Sequence, residues 1–230
     1  MRKTPESSGR RSSGPAFETS TARTVATRNA KSRLLVCCNA LKTEKDYLQG
    51  LKDHLETPAV TVRFKPKVCS PSQLVDFAIA ERARQAEEFD QVWCVFDVDQ
   101  YPDVATAVAK ARREDVEIAL SNPCFEIWLI LHFVAHTAPA DTYKALLPML
   151  KKHVKSYDKT RLNFKDYRDG WPDAVGRARG LASAGQEHRH NPSTGVWRLV
   201  QEITGDRSGP GLPAQRGRPS WSDCGRGPMG

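Results

Sequence analysis

Val92-Trp93-Cys94-Val95-Phe96-Asp97-Val98-Asp99 is the stretch that decides the fold. Its five leading apolar residues form an unbroken run, as in a strand covered on both faces, and two acids follow. Leu34-Leu35-Val36-Cys37-Cys38 is a second run of this kind. Val60-Thr61-Val62-Arg63-Phe64 alternates and is β-branched, and Val116-Glu117-Ile118-Ala119-Leu120 is a further strand.

Helix signals fill the gaps. Thr43 reads as an N-cap, with Glu44 and Asp46 in the first turn and Tyr47, Leu48, Leu51 and Leu55 at helical spacing. Ser70-Pro71-Ser72-Gln73 has the form of a capping box with proline at the first helical position, opening a helix to about Glu88. Pro102 to Arg113 is an alanine-rich helix. Asn122-Pro123 is expected to cap a helix through Phe125, Trp128, Leu129 and His132. Asp141 to His153, Pro172 to Ala182 and Val196 to Ile203 complete the set. Strands alternating with helices predict an α/β fold: a mainly parallel central sheet of about four strands, helices on both faces and a helical C-terminal part. In such sheets ligands bind beyond the carboxyl ends of the strands.

Charge is unevenly placed. The 230 residues carry 35 Lys+Arg and 27 Asp+Glu, a net charge of +8. Residues 1–32 hold seven bases and two acids, and residues 205–230 hold four bases and two acids. The segment 33–204 is left at +1, so the basic character belongs to the two ends. Those ends are Ser/Thr/Arg-rich and Gly/Pro/Arg-rich respectively, and are expected to be disordered tails around one α/β domain at 33–204. No apolar run approaches a membrane span, and the N-terminus has no secretory h-region. The six cysteines show neither CxxC pairing nor regular spacing, so neither a disulfide framework nor a zinc site is supported. A reducing, cytoplasmic setting is expected.

The chemistry gathers at strand ends. Asp97 and Asp99 are two residues apart on a strand and point the same way, so both carboxylates can converge. Hard oxygen ligands of this kind suit Mg2+ (or Mn2+). The alternative is that both are turn residues before the next helix. The first strand would end on the same sheet edge, with Asn39 and then Glu44 as a third acid. Glu126 sits in the first turn of its helix, where it serves the helix dipole or the site; His132 and His136 are four apart. Lys151, Lys152, Lys155, Lys159, Arg161 and Lys165 form a basic segment interleaved with Tyr157, Phe164 and Tyr167. Phosphate contacts with base stacking would have this composition, and so would a solvated face.

Several motifs resemble one family. Leu34 through Glu44, followed by Asp46-Tyr47, resembles the opening of the RloB-like proteins, whose pattern is roughly apolar–Cys-Glu-Gly-Glu-Lys-Thr-Glu. Val92–Asp99 resembles their DxD strand, Ser121-Asn122-Pro123-Cys124-Phe125-Glu126-Ile127-Trp128 through Phe133 their most specific motif, and Asn191–Val196 their closing motif. The resemblance implies a Toprim-like domain associated with bacterial restriction and phage defence (abortive infection), often beside an ATPase partner. It implies Mg-dependent cleavage of nucleic-acid phosphodiesters, with Asp97 and Asp99 holding the metal; Glu44, from the sheet-edge reading, joins them as the third acid. Glu44, Asn39, Glu126 and His132 are the catalytic candidates, and Lys42 joins the basic segment as a nucleic-acid contact.

One departure bears on activity. The family's glutamate falls on Asn39 and its glycine on Ala40. Asn accepts through its carbonyl oxygen but takes no proton near neutral pH. The alternative is therefore a catalytically degenerate subunit that binds nucleic acid or an ATPase partner without cleaving.

Overall fold

The computed structural model describes residues 32–39, 42–55, 60–85, 88–98 and 101–206. The expected tails fall almost wholly outside these residues, as does Asp99.

The sheet grows from its first strand. β1 (Ser32–Cys38) pairs in parallel with β2 (Val60–Pro66) on one side and β3 (Gln91–Asp97) on the other. β3 pairs in parallel with β4 (Glu117–Asn122), and β5 (Ser193–Thr194) closes that edge antiparallel. The order is β2-β1-β3-β4-β5. The fifth strand has no hydrophobic signature, because its two polar residues pair with the end of β4 rather than cover a core.

The continuous apolar runs bury both faces, as side-chain alternation requires. Leu34, Val36 and Cys38 enter one core with Trp93 and Val95; Leu35 and Cys37 enter the other with Cys94 and Phe96. The second core is roofed by α2 (Pro71–Arg84) and α3 (Val104–Arg113). The first and larger core receives α1 (Thr43–His54), α4 (Glu126–Leu131), α5 (Tyr143–His153), α6 (Trp171–Arg179) and α7 (Val196–Thr204).

Helix starts follow local chemistry, with two departures. Ser70 and Gln73 form the capping box, Gln73 Oε1 accepting the Ser70 N–H at 3.2 Å. Asp103 ties this start to α3: its Oδ2 accepts from Ser70 Oγ at 2.8 Å and from the Ser72 N–H at 3.0 Å. Thr43, by contrast, does not cap α1; its hydroxyl donates to the Lys159 carbonyl oxygen at 2.7 Å. Asn122 does not open a helix either. It closes β4 opposite Ser193, and Val98 N–H bonds to the Ser121 and Pro123 carbonyls hold the segment extended, so α4 begins only at Glu126.

Candidate active site at the sheet edge

The four long strands are parallel, so β1, β3 and β4 all end on one edge. The chain leaves β1 outward to β2 on one side and builds β3 and β4 on the other. The crevice between β1 and β3 is thus the topological switch point, where open α/β sheets take ligands.

Asn39 stands at that crevice, buried. Its N–H donates to the Val95 carbonyl at 2.9 Å, and its Oδ1 accepts the Cys69 N–H at 3.3 Å. The side chain thereby braces β1 against the loop before α2. Asp97 ends β3 opposite Ser121 and is half-buried.

Two further acids are deeply buried beside this edge. Glu44, the second residue of α1, is 3 % exposed, and its Oε2 has no hydrogen-bond partner. Burial raises its carboxyl to about 7; a main-chain hydrogen bond opposes the rise, neighbouring Glu126 adds to it, and Lys159 opposes it. Glu126, the first residue of α4, is 0 % exposed. Its Oε1 accepts the Tyr157 hydroxyl at 2.7 Å and lies 3.8 Å from Lys159 Nζ, while its Oε2 has no hydrogen-bond partner.

Lys159 is the cation among these acids. Burial alone would lower its pKa, but Glu126, then Asp97, then Cys124 and Glu44 act on it strongly enough to raise it. The structure thus brings Glu44, Glu126, Asp97 and Lys159 into one electrostatic group from three separate elements and one loop. Sequence reasoning placed Lys159 among the phosphate contacts and gave Tyr157 no part beside Glu126. Neither carries a local signal, because both come from a loop that reaches the acids only through tertiary packing.

The remaining candidates lie elsewhere. His132 is 4 % exposed within a ring of Tyr47, Trp128 and Tyr167. Its Nδ1 is 2.9 Å from the Trp128 carbonyl, which can only accept, so Nδ1 carries the proton. Nε2 then accepts the Tyr47 hydroxyl at 2.8 Å. Both ring nitrogens are used inside the core. Burial pushes this imidazole down to about 3 and keeps it neutral.

Lys42, Lys151, Lys152, Lys155, Arg161 and Lys165 are exposed. The aromatics between them turn inward. Tyr157 and Tyr167 are buried, and Phe164 packs against Tyr47 and Gly50. The segment is therefore a cationic face on an aromatic underside, and these rings are not presented for base stacking.

Carboxylate oxygens without hydrogen-bond partners, at Glu44 and Glu126, are hard donors of the type Mg2+ takes. The donor chemistry fits such an ion. Among the described residues, however, no three His, Cys, Asp or Glu side chains gather as a ready metal cluster, and Lys159 stands among the acids.

Fold and site together define a doubly covered α/β domain with an acid group at the switch point of its sheet. The family model described as RloB-like protein matches residues 34–203, and the chain belongs to that family. No curated protein and no solved structure matches the chain. Among the described residues, no helix is long and apolar enough to cross a membrane.

Proposed function

We propose that this RloB-like protein is a Mg2+- or Mn2+-dependent nuclease of the Toprim type, hydrolysing nucleic-acid phosphodiesters in bacterial phage defence. One observation carries the reading: buried Glu44 and Glu126, each with an oxygen lacking a hydrogen-bond partner, act together with Asp97, at the end of β3, on the one ammonium of Lys159. Burying carboxylates with incomplete hydrogen bonding is costly unless an ion or substrate completes them.

Asp97 and Glu44, with Asp99, would hold the cation. A divalent ion there would stabilise charge on the attacking and leaving oxygens. Tyr157 fixes the orientation of Glu126, leaving Oε2 as the oxygen not engaged by that bond. Lys42, Lys151, Lys152, Lys155, Arg161 and Lys165 supply exposed positive charge to follow a phosphate backbone. A cytoplasmic setting and an ATPase partner are part of the same reading, supported by family membership.

The test is cleavage of labelled DNA and RNA with Mg2+ or Mn2+, comparing wild type with Asp97→Ala and Glu126→Gln. Loss of cleavage in both variants is expected. Equal rates in all three proteins would end the reading.

A second reading has its own observation. Asn39 occupies the position of the family's glutamate and spends its Oδ1 on the Cys69 N–H rather than on the acids. Such a chain would bind nucleic acid or an ATPase partner without cleaving. Under this reading wild type is inactive and Asn39→Glu creates or raises cleavage while binding stays put.

A further inference from the structure

Lys159 stands apart from the cations around it. Lys151, Lys152, Lys155, Arg161 and Lys165 are exposed, whereas Lys159 is half-buried and turned toward the acids. Its ammonium lies 3.8 Å from Glu126 Oε1 and 4.9 Å from the centre of the Tyr143 ring. The main chain is anchored as well, by the 2.7 Å bond from the Thr43 hydroxyl to the Lys159 carbonyl. Thr43 is buried and directly precedes Glu44, so the turn of α1 that carries an acid also clamps the loop that carries the lysine. On the N-terminal side of Lys159, Asp158 Oδ1 accepts both the N–H and the hydroxyl of Thr160, each at 2.8 Å. A lysine serving only as a surface phosphate contact needs no such anchoring, since that attraction is long-ranged and tolerant of geometry.

The charges point the same way. The carboxyl groups of Glu126, Asp97 and Glu44 all act on this one ammonium. A divalent ion among the acids brings the sum toward neutrality and leaves the ammonium available to a second anion. At a phosphodiester site that anion is the substrate.

We propose that Lys159 is a catalytic residue of this site, its ammonium contacting a non-bridging oxygen of the scissile phosphate and stabilising the charge that builds there. The proposal rests on the nuclease reading. In the reaction a water oxygen bonds to phosphorus as the bond from phosphorus to the leaving sugar oxygen breaks. The water's proton passes to a site carboxylate or to solvent, and the leaving oxygen takes a proton from solvent. Lys159 keeps its protons throughout and contributes charge alone. Held in place beforehand, that charge needs no reorganisation as the reaction proceeds.

The experiment compares the full chain with Lys159→Met and Lys159→Arg, each checked for folding by circular dichroism. Three quantities are read: the single-turnover rate at saturating protein with Mn2+, the oligonucleotide Kd in Ca2+, and the Kd for Mn2+ alone. Lys159→Met is expected to lower the rate about 100- to 1,000-fold, the typical loss on removing one preorganised charge-stabilising donor. Its oligonucleotide Kd should change little, because one phosphate contact among many is lost. Its Mn2+ Kd should fall, because a competing positive charge has gone. Lys159→Arg should recover part of the rate. A Lys159→Met rate equal to wild type overturns the inference alone. So does a weaker Mn2+ Kd, which would make Lys159 a support for the acids. A wild type that cleaves neither DNA nor RNA overturns the nuclease reading and this inference with it.

Discussion

Glu126, fully buried at the start of α4, takes a 2.7 Å hydrogen bond from Tyr157, a loop residue that lies 31 positions later. The bond is one of few compensations for a carboxylate in a dry place. Tyr157→Phe keeps the ring and removes the donor, and should lower stability by about 1–3 kcal/mol. Urea denaturation of the two proteins measures this. In a Glu126→Gln background the same change should cost clearly less, since the charge that needs the donor is gone.

Glu44 gives stability a dependence on pH. Its carboxyl is raised from an ordinary value of 4.5 to about 7, chiefly by burial. Between those values the folded chain binds more protons than the unfolded chain, so stability is whole below 4.5 and falls as pH rises through about 7. The loss is on the order of 3 kcal/mol at most. Melting temperatures at about pH 5 and pH 8 should show that slope in wild type and a shallower one in Glu44→Gln. Mn2+ added at the higher pH should restore stability to wild type and less so to the variant.

His132 acts in the opposite direction. Burial lowers it from 6.5 to about 3, the bonds to the Trp128 and Leu129 main chain opposing and Arg177 assisting. The folded chain then binds fewer protons than the unfolded one. Its contribution is whole above 6.5 and is lost as pH falls toward 3. His132→Phe should flatten the acid limb of the stability profile. It should also lower stability near neutrality by about 1–3 kcal/mol, because the Tyr47 hydroxyl loses its acceptor.

Two glycines should respond oppositely to alanine. A Cβ on Gly50 of α1 would collide with Cβ and Cγ of Phe164, so Gly50→Ala must displace that ring from its place against Tyr47. Overpacking of this type costs about 1–3 kcal/mol. Gly176, within α6 and exposed, would meet nothing within 4 Å. Gly176→Ala should stabilise by about 0.5–1 kcal/mol, the helix-interior penalty of glycine. Thermal unfolding of both variants decides the pair of signs.

What could be read in advance follows the range of each interaction. β1 to β4, their order of appearance and the Ser70 box rest on neighbours within a few residues, and composition shows them directly. β5 escaped because Ser193 and Thr194 pair by main chain and bury no apolar pattern. Thr43 looked like a cap because its position fits one; its actual partner, Lys159, is 116 positions away. Lys159 is one cation among six in its segment, and nothing local distinguishes it. His132 shows the same limit. Helical spacing assigns a face, but only packing reveals that both ring nitrogens already have partners.

The last helix among the described residues has a consequence for biosynthesis. α7 packs Trp197, Leu199, Val200 and Ile203 into the same core as Val60 and Val62 of the outermost strand. Arg198 bonds to Glu117 and the Ile118 carbonyl, and Glu202 bonds to Gln91, so one helix laces β4 and β3 as well. A nascent chain halted before residue 196 would carry a sheet with one apolar face partly uncovered, open to chaperones or to other chains. The larger core therefore closes only after α7 has been synthesised.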